Sequence, residues 1–104
     1  MIVDHRTYTL KPNRVAEYLE VFEQYGLPVQ VRHLGEPIGY FVTTIGTVNQ
    51  VVHLWGYKNL ADMEQRRIAR DADADWGPYK SMTQDLVVLQ ENKILAPTSF
   101  SRIK

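Results

Sequence analysis

Residues Val51 to Tyr57 alternate between a polar-aromatic set (His53, Trp55, Tyr57) and a small apolar set (Val52, Leu54, Gly56). A period of two marks a strand with two different faces, because successive side chains leave a strand on opposite sides. The period then changes. Asn59 offers a side-chain oxygen as a helix N-cap, Asp62 follows in the capping-box position, and Met63 opens an apolar helical face. A helix is predicted over Leu60 to Ala74, with Asp62–Arg66 and Arg67–Asp71 pairs four residues apart on a solvated side.

The same reading extends in both directions. Ile2 to Leu10 alternates as a first strand, with Val3, His5, Thr7 and Thr9 on one side and Ile2, Arg6, Tyr8 and Leu10 on the other. Pro12 and Asn13 stop it and suit a helix start. Val15, Tyr18, Leu19, Phe22 and Tyr25 then recur at spacings of three and four, which predicts an amphipathic helix. Gly26 and Pro28 end or kink it, with Val31, His33 and Leu34 adding a short turn before Gly35. Ile38 to Ile45 is rich in β-branched and aromatic residues and reads as a second strand, joined by a Gly46–Asn49 hairpin turn to the third. Trp76, Gly77 and Pro78 break the charged helix, and Tyr79 to Asp85 reads as a short one. Leu86–Leu89 with Ile94–Ala96 supplies a last strand whose end Pro97 puts on an edge or out of the sheet.

Strand, helix, strand, strand, helix, strand favours an α+β fold, the ferredoxin-like plait (βαββαβ), with both helices on one face of an antiparallel sheet. The opposite face needs a cover, and a single domain over residues 1–104 has no element left to provide it. The same face of a second copy is the most economical cover, so a homodimer packed sheet on sheet is expected.

Composition narrows the partners. Hydrophobic content of 44% and charged content of 23% are ordinary for a soluble globular chain. No apolar run is long enough to cross a bilayer, and Asp4, His5 and Arg6 interrupt the first apolar residues, so a cytoplasmic location without membrane contact is expected. The absence of cysteine excludes disulfides and thiolate chemistry. Twelve basic against twelve acidic residues give no net field for a phosphate backbone. RNA-recognition domains share this strand order, but they carry exposed aromatics flanked by basic residues on a central strand. The third strand here lacks the basic residue, and Gly39-Tyr40-Phe41-Val42 falls on an edge-side strand, so nucleic-acid binding is rejected.

Laid in order, the chain resembles the NIPSNAP family along nearly its whole length. The matching residues are Arg6-Thr7-Tyr8 with Leu10-Lys11-Pro12, Gly39-Tyr40-Phe41 with Ile45-Gly46, and Asn49 through Tyr57 with Leu60. Arg67, Trp76 and the closing Ile94-Leu95-Ala96-Pro97 add to these, and Val-His-Leu-Trp-x-Tyr is the most specific part. The resemblance implies the dimeric α/β-barrel version of the plait, shared with small cofactor-free monooxygenases and related enzymes. It implies no particular reaction. His5, Asn13 and Asn92-Lys93 depart from the usual pattern, which bears on sites at the first strand and the last loop.

The candidate chemistry lies on the third strand. His53, Trp55 and Tyr57 can form one wall of an apolar cleft with a few polar groups, the usual form of a small-molecule site. If the first and third strands are central neighbours, Arg6 and Tyr8 join His53 on one face. Arg6 is then the candidate anion holder, and His53 the candidate acid/base exchanging a proton near neutral pH. Tyr8, Trp55, Tyr57, Tyr40 and Trp76 are the expected ligand walls, and a cofactor-independent monooxygenase- or isomerase-like activity is the expectation should the site be catalytic. Packing is the more economical explanation of the same residues, since large amphipathic side chains are common in cores.

Other constellations carry less. His5 and His53 can meet across strands, but no histidine pair has metal-ligand spacing, so no metal and no cofactor are expected. Ser81, Ser99 and Ser101 lack a nucleophile-elbow context, and Gly35, Gly39 and Gly46 are too scattered for a phosphate loop. Arg66, Arg67 and Arg70 form a basic cluster read as a self-neutralised helix surface, with the family match setting Arg67 near Trp76. The favoured reading is a homodimer that binds a small organic molecule between sheet and helices. Its rival is a non-catalytic scaffold that recruits another protein.

Overall fold

Strands β1 (Ile2–Leu10) and β3 (Gln50–Tyr57) lie side by side at the centre of a four-stranded antiparallel sheet in the computed structural model, which describes residues 1–104. Flanked by β2 (Gly39–Val42) and β4 (Val87–Leu95), they give the order β2-β3-β1-β4 of a ferredoxin-like plait. The alternation seen in β3 sorts its faces as expected. Val51, His53, Trp55 and Tyr57 are buried, whereas Val52, Leu54 and Gly56 are half-buried on the opposite side. The helices cover the first set, and Tyr18, Phe22, Val29, Leu34, Trp76 and Tyr79 join it in one core.

The first helical segment is longer than its signals suggested. Helix α1 (Val15–Val21) runs through a π-helical turn at Phe22–Gly26 into α2 (Leu27–Leu34). The Leu27 amide bonds back to the Phe22 carbonyl, five residues earlier. That extra residue rotates the following face. Gly26 is therefore buried in place of Tyr25, which the regular spacing had assigned to the core and which is exposed. Pro28 is harmless because it falls in the first turn after the irregularity.

Gly26 is required by its neighbour. A β-carbon there would stand 2.7 Å from the Tyr79 ring and 2.9 Å from Phe22. Gly26→Ala gains helix propensity of about 1 kcal/mol, against overpacking of about 1–3 kcal/mol. A net loss of up to about 2 kcal/mol is expected in urea denaturation. A stabilised variant would show that α2 and Tyr79 can part.

Helix α3 (Leu60–Asp71) begins at Asn59, whose Oδ1 accepts the Asp62 amide at 2.8 Å, while Asp62 accepts the Lys58 amide at 2.9 Å. It ends three residues before the expected Ala74. Trp76, Gly77 and Pro78, read as breakers, instead form the first turn of α4 (Trp76–Thr83), where a proline lacks no needed bond. Asp73 ties this joint to α2, accepting Arg32 and, at 2.7 Å, sharing a hydrogen bond with His33. The Asp75 amide, His33 and Arg32 together hold the Asp73 carboxyl below the usual range.

At the sheet edges, β2 is shorter than Ile38–Ile45, and β4 is one continuous strand through the polar Gln90–Lys93. Both of its faces are exposed, so no apolar alternation was needed to form it. The residues pointing away from the helices include Val3, Phe41, Leu54, Leu89 and Leu95, and all but Val3 keep appreciable exposure.

Candidate functional site

Arg6 pairs with His53 and His5 with Leu54 in the β1–β3 register. Asp4, Arg6, Tyr8 and His53 therefore share the helix-covered face. His5 lies on the other, and the cross-strand meeting of His5 with His53 does not occur. A one-residue slip in register, which would reverse the faces, is excluded by the burial of every second β3 residue.

His53 is clamped. Tyr40 stacks on its ring with centroids 4.6 Å apart, and Tyr8 meets it edge-on at 4.9 Å. The Trp55 indole N–H donates to His53 Nδ1 at 2.6 Å. An indole nitrogen can only donate, so Nδ1 accepts and the ring proton sits on Nε2. Nε2 is buried without a protein partner. Burial, then the Arg6 charge and His5, push the His53 pKa down to about 3.

Such an imidazole stays neutral at physiological pH, which corrects the proton exchange expected near pH 7. It offers a fixed N–H donor instead. The shift also has a stability sign. The unfolded histidine titrates near 6.5 and the folded one near 3, so the unfolded state takes up the proton first. Stability is full above about pH 6.5 and falls as pH drops, by about 2 kcal/mol between pH 8 and pH 5. Denaturation across that window checks it. His53→Phe should flatten this slope, and an unchanged slope would assign it to other groups.

Arg6 is buried, but its charge is already matched. Its Nε donates to Asp4 Oδ2 at 2.9 Å and its terminal nitrogen to the Tyr8 hydroxyl at 3.2 Å. Arg6 thus reaches the site through Tyr8 rather than as a free anion holder.

A cavity of about 180 Å³ opens between the sheet, the π-helical turn and α4. His53, Tyr8 and Trp76 line it together. Trp55 lies behind His53, and Tyr57 is buried farther along β3. Tyr40 flanks a separate groove of about 340 Å³ with Leu19, Phe22 and Leu27, rimmed by Glu20 and Glu23. The sequence reading missed Tyr18, Gln30, Tyr79, Lys80 and Thr83 in the lining. Tyr18 and Phe22 showed only as core spacing, and Gln30 falls beyond the unforeseen π-helical turn. Burial raises the Tyr79 phenol to about 12, and it raises Tyr18 and Tyr40 further, so all three keep their protons.

Helix α3 reaches the site through Arg70. This guanidinium is buried, sits 4.6 Å over the Trp76 ring centroid, and donates to Gln30 Oε1 at 3.3 Å. It also pairs with Asp71 at 2.9 Å. Arg70 therefore holds the place beside Trp76 and the partnership with Asp71 that were assigned to Arg67, and the basic cluster is not wholly solvated. The Asp62–Arg66 pair forms as expected. No group of three or more His, Cys, Asp or Glu is placed to hold a metal, and no helix is long and apolar enough to cross a membrane.

Comparison with known proteins gives one answer. The NIPSNAP family profile matches residues 3–102. Protein NipSnap of Drosophila melanogaster is 30% identical over 96% of this chain and 36% of its own length. Mouse NipSnap homolog 3B is 36% identical over 70% of this chain and 29% of its own. The chain thus spans about a third of the length of these relatives. A crystal structure of a NIPSNAP family protein with unknown function from Agrobacterium tumefaciens superposes with a TM-score of 0.96 at 39% identity, covering 100% of this chain and 94% of that one. An uncharacterised NIPSNAP-like domain protein from Burkholderia xenovorans gives 0.91 at 48%, over 96% and 87%. A candidate antibiotic biosynthesis monooxygenase from Nitrosomonas europaea shares the fold alone, with a TM-score of 0.68 at 13% identity over 93% of this chain and 98% of that one.

Proposed function

Starting from the fact that the chain belongs to the NIPSNAP family, we propose that it is a homodimer that binds a small organic molecule in the His53 cavity, between sheet and helices. One observation carries the reading. A histidine kept neutral by burial and oriented by Trp55 lines the cavity, and its Nε2–H has no partner in the protein. A buried donor left unpaired costs about 1–3 kcal/mol, so its persistence favours a partner that arrives from outside.

The size of the space limits that partner. A cavity of about 150 Å³ is known to accept benzene, so about 180 Å³ suits a single ring or its equivalent. A fixed imidazole N–H in an aromatic enclosure suits polarising a carbonyl or holding an enolate without a cofactor. The sheet-on-sheet dimer is supported by the apolar residues on the uncovered face, with Leu54 at its centre.

A thermal-shift panel of quinols, phenols and β-dicarbonyl compounds tests the ligand reading. At least one class should raise Tm by about 2 °C or more, which corresponds to a bound-state gain of about 0.25–0.5 kcal/mol or more for a domain of this size. His53→Ala should abolish the rise. No response from any class, with His53→Ala costing stability alone, would support the scaffold instead.

A further inference from the structure

We propose that the His53 cavity selects a small planar oxyanion, a one-ring carboxylate, phenolate or enolate, over neutral or cationic molecules of the same shape. This rests on the cavity being a ligand site. Three of the lining groups are held from behind.

Tyr8, Gln30 and His53 are each able to donate or accept. Each has acceptor capacity taken by a group that can only donate. Arg6 donates to the Tyr8 oxygen, Arg70 to Gln30 Oε1, and the Trp55 indole to His53 Nδ1. The Tyr8 O–H, the Gln30 amide hydrogens and the His53 Nε2–H stay free to donate, while one acceptor site on each group, and on His53 the only one, is already filled. Three ambivalent groups are thereby biased to one polarity by three donor-only residues, two of them cations. Lys80, at the rim, is the only fully charged residue in the lining, which contains no carboxylate. Asp4 and Asp71 neutralise the two buried arginines, but they do so outside the cavity wall. An acceptor-only anion can satisfy several of these donors at once, and hydrogen bonds to a charged oxygen are about twice as strong as neutral ones. An amidinium would face the same donors with donors of its own.

Benzoate, benzamide and benzamidine share one shape and carry charges of −1, 0 and +1. They can be titrated into the intact protein at neutral pH while the two tryptophan indole resonances are followed by NMR. Benzoate should bind at least about tenfold more tightly than benzamide, and benzamidine more weakly than either. Lys80→Ala, an exposed change that leaves the core intact, should weaken benzoate about two- to fivefold and leave benzamide unmoved. His53→Phe should bring benzoate down to the benzamide level. Equal binding of all three, or a preference for benzamidine, would overturn the anion assignment and leave the ligand site standing. Binding of none would overturn both.

Discussion

Replacing Trp55 with alanine should lower the unfolding free energy by about 3–5 kcal/mol, the loss usual for a fully buried indole. Only 1% of Trp55 is exposed, and it ranks first by volume among the fully buried side chains. Total stabilities of single domains run to about 5–15 kcal/mol, so the change consumes a large share. The effect divides into two parts that can be measured separately. Trp55→Phe keeps most of the volume but removes the N–H that His53 Nδ1 accepts, leaving a buried acceptor unpaired at a cost of about 1–3 kcal/mol. It also frees the imidazole to place its proton on either nitrogen, which nitrogen-15 NMR of the ring reads directly. Urea denaturation of both variants separates packing from polarity. A loss below about 1 kcal/mol for Trp55→Ala would show that the core closes without the indole.

Much of the fold was legible because β1 and β3 have one covered face each. From Val52 to Tyr57 the helix-covered positions of β3 are polar-aromatic and the uncovered ones small or aliphatic, so period two announced a two-faced strand, while which face the helices cover emerged only from register and burial. The Asn59 cap and the Asp62 carboxylate announced α3 by the same local logic. Where burial is uniform the pattern weakens. Strand β4 is exposed on both faces, and its polar middle looked like a gap between two short pieces. The π-helical turn was hidden for a different reason. One inserted residue leaves the residue types unchanged and shifts only their facing, so Tyr25 kept the spacing of a core residue while Gly26 took its place.

The site was legible only as a wall. His53, Tyr8 and Trp76 were expected around one ligand, and the register brings them to one cavity. The opposite wall comes from α2 and α4, whose faces depend on that same turn and on where α3 stops. Arg70 was out of reach because its neighbours in sequence, Asp71 and Arg67, suggested a helix-surface ladder, whereas its contacts to Gln30 and Trp76 reach two other elements. The protonation of His53 also depended on a long-range quantity. Desolvation, more than any adjacent residue, keeps it neutral, and burial depth is not written in a local motif.

Leu54→Asp should convert a micromolar solution of the protein from dimer to monomer. Leu54 lies in the middle of central strand β3 and points away from the helices, opposite His5 of β1 and Gly39 of β2. A carboxylate there meets water in a lone subunit, so the fold should survive with its near-ultraviolet circular dichroism intact. In a two-fold sheet-on-sheet pair the same position recurs on both copies and faces an apolar layer. An uncompensated charge buried in such a layer costs about 3–5 kcal/mol, which weakens association by about two to three orders of magnitude or more. Sedimentation equilibrium of wild type and variant across a hundredfold range of concentration measures both states. Wild-type protein sedimenting as a monomer at micromolar concentration would remove the dimer itself. A variant that still pairs as tightly would move the interface off this face, leaving the apolar surface around Leu54 to be covered by a different partner.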